Sequence, residues 1–215
     1  KGSQKFFAKL HLFALYGMNY GRSGDVDSSG EEQVIELVAK EFGDLPQGVF
    51  LDCGANVGEY SRELVKVISP QARIFSFEPS FNTHKQLSAN VLAYKNIFPI
   101  QKGVGDTNQQ FTLYSNAQNS KHSSIFSRDM SHWNEEWNLK QTETIEIVRL
   151  SDFLQKESID HVNFIKIDVE GYEINALKGL DTFLTDQKVD IIQFEFGVAA
   201  VDGKYFFKDL FYILS

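Results

Sequence analysis

The sequence predicts an α/β fold: an open, mostly parallel sheet with helices on both faces. Three observations carry that prediction. Short apolar runs alternate with helical patterns five times along the chain. The runs end on, or are followed by, acidic residues: Asp52, Glu78, Asp106, Asp168 and Glu195. The first run passes straight into a glycine turn, Gly54-Ala55-Asn56-Val57-Gly58. Right-handed crossovers put all the strand ends on one rim. The five acids are therefore expected to gather there, where the strand order switches between the first and fourth strands and where ligands bind.

The elements follow in order. Residues 5–16 are rich in Phe and Leu and read as an amphipathic helix packing on the domain, with interfacial membrane contact the minor alternative. They are too few to span a bilayer. Residues 17–30 are rich in Gly, Ser, Asp and Asn and read as a loop. Residues 1–30 thus form an N-terminal extension, and 31–215 the domain. Ser29-Gly30-Glu31-Glu32 has capping-box spacing, ahead of a helix whose Val34, Val38 and Phe42 share a face. Val49, Phe50 and Leu51 begin a buried strand. Residues 59–69 form the next helix, which Pro70 stops. Residues 73–77 are the second strand. Ser80 caps the helix after it, with Leu87, Val91 and Tyr94 facing inward. Residues 96–104 are the third strand, and Gly105-Asp106 is a turn.

Residues 107–150 break this rhythm. Residues 111–114 and 144–148 alternate like strands that pair, and between them lie Lys121, His122, Ser123, Ser124, Trp133 and Trp137. Long loops in compact domains are usually functional or disordered, so the segment reads as an inserted substrate loop or cap, with a surface loop as the alternative. Residues 163–169 are the fourth strand, 173–184 a helix, and 189–196 the fifth strand. Residues 205–214 open a last helix.

With 215 residues, 42% of them hydrophobic, the chain makes one domain with a full core and a short extension. A net charge of −8 and a pI near 5.1 argue against a nucleic-acid partner, which needs a basic footprint. The single cysteine, Cys53, excludes an internal disulfide and suits a reducing, cytoplasmic setting. It reads as a buried filler rather than a nucleophile. One Cys and scattered His residues give no zinc pattern. Asp168, Glu170 and Glu195 offer oxygen ligands of the kind Mg²⁺ takes, but nothing in their spacing requires an ion, and no metal is expected.

The glycine turn points to the ligand. Glycine allows φ > 0 and close approach of backbone to a ligand, and the following helix offers N–H groups at its N-terminus. A dinucleotide site would show G-x-G-x-x-G, which is missing here. An acid just before the first glycine repels a pyrophosphate and attracts an ammonium. S-adenosylmethionine carries an ammonium, a sulfonium and no phosphate. Glu78, at the end of the second strand, is placed to accept hydrogen bonds from ribose hydroxyls.

Asp52-Cys-Gly-Ala-Asn-Val-Gly58, Phe77-Glu-Pro79 and Ile165-Lys-Ile-Asp-Val-Glu-Gly-Tyr-Glu173 occur in order. Together they resemble the FkbM family of S-adenosylmethionine-dependent methyltransferases over roughly residues 30–200. The resemblance implies a class I methyltransferase (Rossmann-like) three-layer sandwich. It also implies O-methylation of hydroxyls on sugars, glycans or macrolide-like natural products. By position, Asp52, Gly54, Ala55, Asn56 and Gly58 would surround the methionine end of the cofactor. Glu78 would hold the ribose, Asp106 would meet the adenine edge, and Asp168 and Glu170 would lie beside the transferring methyl. Such a fold closes with an antiparallel strand pair, which this sequence stops short of. An uncovered sheet edge is therefore expected, with a partner chain, possible as a homodimer, covering it.

Methyl transfer leaves the protein to position an acceptor oxygen and take its proton, a contribution of about 10²–10⁴-fold. Asp168 and Glu170 are the first candidates for the base and His122 the next, with Lys166 pairing with an acid. Each has a plainer alternative: an ion pair for Asp168, a helix cap for Glu170, a solvated loop histidine for His122, a rim ion pair for Glu195. Two other functions compete. A nucleotide-dependent oxidoreductase is opposed by Asp52 and the glycine spacing. A non-catalytic cofactor-binding module is opposed by the intact Lys-x-Asp-Val-Glu-Gly-x-Glu segment.

Overall fold

The computed structural model describes residues 2–17, 30–115, 123–126, 141–197 and 199–215. The central sheet has five strands: β1 (Val49–Cys53), β2 (Arg73–Phe77), β3 (Ile97–Ile100), β7 (Val162–Ile167) and β8 (Val189–Phe194). All neighbours are parallel, in the order β3-β2-β1-β7-β8. The reversal of order falls between β1 and β7, the expected first and fourth strands. Three shorter strands, β4 (Gly103–Gly105), β5 (Gln109–Ser115) and β6 (Gln141–Arg149), make a second sheet in the order β4-β6-β5.

Alternation along the strands gives the main sheet two apolar faces. On one, Phe50, Ile74 and Phe164 pack with Val38 of α2 (Glu31–Phe42), Leu64 of α3 (Glu59–Leu64), and Leu87 and Val91 of α4 (Phe81–Val91). On the other, Leu51, Phe75, Phe77, Ile165 and Ile167 pack with Leu154 of α5 (Leu150–Lys156), Leu177 of α6 (Glu173–Leu180) and, past the short α7 (Thr182–Thr185) and α8 (Ala199–Asp202), Leu210 of α9 (Phe207–Leu214). This is the three-layer α/β sandwich that the sequence predicts.

Several details differ from expectation. The third strand divides: Lys102 N–H donates to the Ile100 carbonyl (2.9 Å), the chain turns, and β4 leaves the main sheet to pair with β6. Pro99 is tolerated in β3 because that strand is an edge. The helix expected over 59–69 ends at Leu64, and the one over 173–184 breaks at Asp181, whose φ is 49°. The N-cap of α2 is Gly30 with φ 87°, without a side-chain cap, so no capping box forms on the described residues. Ser80 stands at the N-cap of α4, but its side chain does not cap. The expected pairing of 111–114 with 144–148 is present, as the antiparallel β5·β6 ladder with Phe111 opposite Ile145.

Helix α1 (Gly2–Gly17) forms but does not pack as expected: Phe6, Phe7 and Phe13 are 63, 61 and 75% exposed. Adjacent apolar residues such as Phe6-Phe7 and Leu12-Phe13 point to different sides of a helix, so no single stripe can be buried. Among the described residues no helix is long and apolar enough to cross a membrane. His122, Trp133 and Trp137 lie outside the described residues.

Candidate active site

The polar heart of the molecule is a row across one face of the sheet. Register places Ser76 of β2 beside Asp52 of β1, Asp52 beside Lys166 of β7, and Lys166 beside Gln193 of β8. Helix α3 lies over this row. Ser61 donates its hydroxyl to Asp52 Oδ2 (2.5 Å) and shares a hydrogen bond with Ser76 Oγ (2.7 Å), and Tyr60 donates its hydroxyl to Gln193 Oε1 (2.7 Å). Asp52 is fully buried and its Oδ1 has no hydrogen-bond partner. Burial raises its carboxyl above the ordinary range, against the pull of Lys166 and Ser61.

Lys166 is the cation of the site. Its Nζ lies 2.8 Å from Asp168 Oδ2, 3.4 Å from Glu31 Oε1, and 5.0 Å from the centre of the Tyr60 ring. Burial alone would lower its pKa, but Asp168, Asp52 and Glu31 together raise it, so the ammonium stays charged. Asp168 follows β7 directly and is tied to β1 by its N–H, which donates to the Cys53 carbonyl (2.9 Å). Burial opposes its charge, but Lys166 and a hydrogen bond from Glu195 outweigh it and hold the carboxyl below the ordinary range. Glu195 shows the reverse: partial desolvation first, then Asp168 and Glu170, push it up to about 8. Asp168 and Glu195 thus share a proton near neutral pH.

The glycine turn is fastened to β2. The N–H groups of Gly54 and Ala55 both donate to the Phe77 carbonyl (3.0 and 2.9 Å), and Asn56 N–H donates to Glu78 Oε2 (3.1 Å). Ser80 N–H donates to Glu78 Oε1 (2.9 Å). Burial outweighs these bonds and holds the Glu78 carboxyl at about 7. The glycines answer to the protein's own packing. A Cβ at Gly54 (φ 89°) would stand 1.8 Å from the Asp168 carbonyl oxygen, and one at Gly58 (φ 86°) 2.6 Å from Leu87 Cδ1. The N–H groups of residues 54–56 are therefore spent inside the fold, ahead of the helix N-terminus at Glu59.

The segment after Asp168 is set by Glu173. This buried carboxylate accepts the N–H groups of Val169 and Gly171 (both 3.1 Å) and the hydroxyl of Tyr205. Glu173, the first residue of α6, thereby fastens the segment that leads into that helix. Glu170 takes a left-handed conformation (φ 53°), its carbonyl accepting the Ser124 hydroxyl (2.9 Å) from the 107–150 excursion. Asp106 accepts from Asn175 Nδ2 (3.1 Å) and from the Tyr172 hydroxyl. A cleft of about 310 Å³ opens from Pro79, beside Glu78, between the two sheets. Gln101, Gln110, Thr144, Ile145 and Glu146 line the rest of it.

The structure therefore joins Asp52, Lys166, Asp168 and Glu195, links Gly54, Ala55, Asn56 and Glu78, and sets Asp106 beside α6. Glu31, Tyr60, Ser61, Gln193 and Glu173 were not singled out from the sequence. Only the inward position of Tyr60 hinted at them, since their partners are fixed by register. Among the described residues, an acidic rim holding the Lys166 ammonium fits a cationic cofactor such as S-adenosylmethionine better than a pyrophosphate. Among the described residues no cluster of three or more ligand side chains could hold a metal ion.

Comparisons with known proteins agree. The family model described as "Methyltransferase FkbM domain" matches residues 52–215. The hexuronic acid methyltransferase AglP of Haloferax volcanii is 25% identical over 179 residues, 82% of this chain and 67% of that protein. Methyltransferase 1 of Beauveria bassiana is 27% identical over 156 residues, 66% of this chain and 60% of that protein. A solved FkbM methyltransferase of Methylobacillus flagellatus superposes with a TM-score of 0.46 at 20% identity, over 67% of this chain and 32% of that one. The chain thus spans about two thirds or less of the length of these relatives. The family uses S-adenosylmethionine, the cofactor expected from the sequence. On the match over residues 52–215, the chain belongs to the FkbM methyltransferase family.

Proposed function

We propose that this chain is an S-adenosylmethionine-dependent O-methyltransferase acting on a hydroxyl of a sugar or glycan. The observation that carries it is the pair of carboxyl side chains that follow β7 and β8, Asp168 and Glu195, with Lys166 held by Asp168 and Glu170 acting on Glu195. Such a rim attracts a positively charged donor and can take a proton from a neutral hydroxyl. The Haloferax relative acts on a hexuronic acid by its name, and that supports a sugar acceptor. The acidic rim favours an approach by an uncharged part of the sugar, with any hexuronate carboxylate turned away.

When bound, the cofactor supplies an electrophilic methyl group on a sulfonium. The chain's own residues do the rest. Asp52 and the 54–58 turn hold the methionine end, and Glu78 accepts ribose hydroxyls on the lone pairs left by Asn56 and Ser80. Asp106, oriented by Asn175 and Tyr172, meets the adenine edge on its remaining lone pairs. Residues 31–215 act as one domain, and 107–150 as a cap on the acceptor side. The Ser124 bond to the Glu170 carbonyl supports that role.

Mass spectrometry of products from neutral glycosides and hexuronates, with labelled donor, tests this. The expected product is a methyl ether stable to mild alkali. An alkali-labile methyl ester, a methylated nitrogen, or calorimetric binding of NAD(P)H in preference to S-adenosylmethionine overturns it.

A further inference from the structure

Asp168 and Glu195 follow the last registered pair of neighbouring parallel strands, Ile167 and Phe194. Both side chains consequently leave the same face of the sheet, in line with Lys166 and Gln193 below them. Their backbones are pinned: Asp168 N–H donates to the Cys53 carbonyl (2.9 Å) and Glu195 N–H to the Ile167 carbonyl (3.1 Å). The two carboxyls are unequal. Asp168 Oδ2 is spent on Lys166, and its side chain is only 30% exposed. Glu195 is exposed at the rim and hydrogen-bonded to Asp168. An acceptor hydroxyl arriving from solvent meets Glu195 first.

We propose that Glu195 is the general base of methyl transfer, and that Asp168, held as a carboxylate by Lys166, is the positioning residue that orients it. This rests on the reading of the chain as an O-methyltransferase. The acceptor O–H gives its proton to the Glu195 carboxylate. The freed oxygen pair forms the new O–CH₃ bond as the S–CH₃ bond breaks, its electron pair returning to sulfur and leaving a neutral thioether. Glu195 then returns the proton to water. The charged groups facing Glu195 are Asp168 and Glu170, which raise its proton affinity, and Lys166, which lowers it. A base that titrates near the working pH balances availability against strength, whereas Asp168, locked to Lys166, is a weak base.

The test follows kcat against pH from 5.5 to 9.5 for the full chain with a methylatable glycoside, beside calorimetry with S-adenosylmethionine. Wild type is expected to rise with pH, with its midpoint near 8. Glu195→Gln is expected to lose about 10²-fold in kcat together with that rise, while still binding the cofactor. Glu195→Asp keeps the rise at reduced turnover. Asp168→Asn moves the rise to lower pH, because the repulsion that retains the Glu195 proton is gone. A Glu195→Gln protein that binds cofactor and keeps wild-type turnover, or keeps the pH rise, overturns the assignment. If the wild type itself transfers no methyl to any hydroxyl, it is the functional reading that fails.

Discussion

Glu78 answers to two demands at once. Its oxygens take the N–H groups of Asn56 and Ser80, which favours the charged form, yet burial holds the carboxyl at about 7. An unfolded chain releases this proton near pH 4.5 while the folded chain keeps it until about 7. The stability that Glu78 contributes is therefore complete below about pH 4.5 and is lost as pH rises to about 7. Thermal midpoints of Glu78→Gln, measured from pH 4 to 8, are expected to fall less steeply over that window than those of wild type. Glu195 and Asp52, raised in the same sense, contribute to the slope that remains. Parallel curves for the two proteins would contradict this. At this scale the sequence was informative wherever a charge interrupted an apolar run: Asp52, Glu78, Lys166 and Asp168 all stood out. It was silent on Glu31, Ser61 and Gln193, because these polar residues acquire meaning only from strands and helices that meet across the register. It marked Glu173 only as the end of a motif and did not show its partner Tyr205, far along the chain.

The turn between β1 and α3 is a crossing of backbones. Gly54 runs beneath the Asp168 carbonyl so closely that a methyl group there would stand 1.8 Å from the oxygen, at a φ of 89°. Gly54→Ala is expected to cost about 3 kcal/mol or more in urea unfolding, from backbone strain together with displacement of the β7 end. A loss under about 1 kcal/mol would mean that the crossing can relax. Element type was legible in the sequence because apolar runs and helical stripes have different periods. Element limits were less so. Nothing local marks the parting of β3 from β4 at Gln101-Lys102, where pairing with β6 outcompetes continuation beside β2. The break of the α6 helix falls at Asp181, two residues after Gly179. It coincides with a salt bridge from Arg149 to Asp181 (2.7 Å), which joins the end of β6 to that corner.

At the scale of the whole molecule, the described residues present an apolar flank beside β8. β8 borders the sheet, and around it Phe196, Phe206, Phe207, Phe211 and Tyr212 are all exposed. Phe207 sits against Phe194 and Phe196, at ring-centre distances of 6.4 and 5.5 Å. Contiguous apolar surface of this kind drives association. Sedimentation of this 215-residue chain at tens of micromolar is expected to show species heavier than a monomer. Phe211→Lys with Tyr212→Lys is expected to reduce them. A purely monomeric wild type at that concentration would refute the expectation. The opposite circumstance holds at the centre. Cys53 is fully buried in β1, and burial pushes its thiol well above the ordinary range, so it is protonated and shielded. A single cysteine introduced on an exposed helix position, such as Lys85→Cys, would then be the one reactive handle for a maleimide dye. Fluorescence from that label could follow donor binding in real time without first removing any native residue.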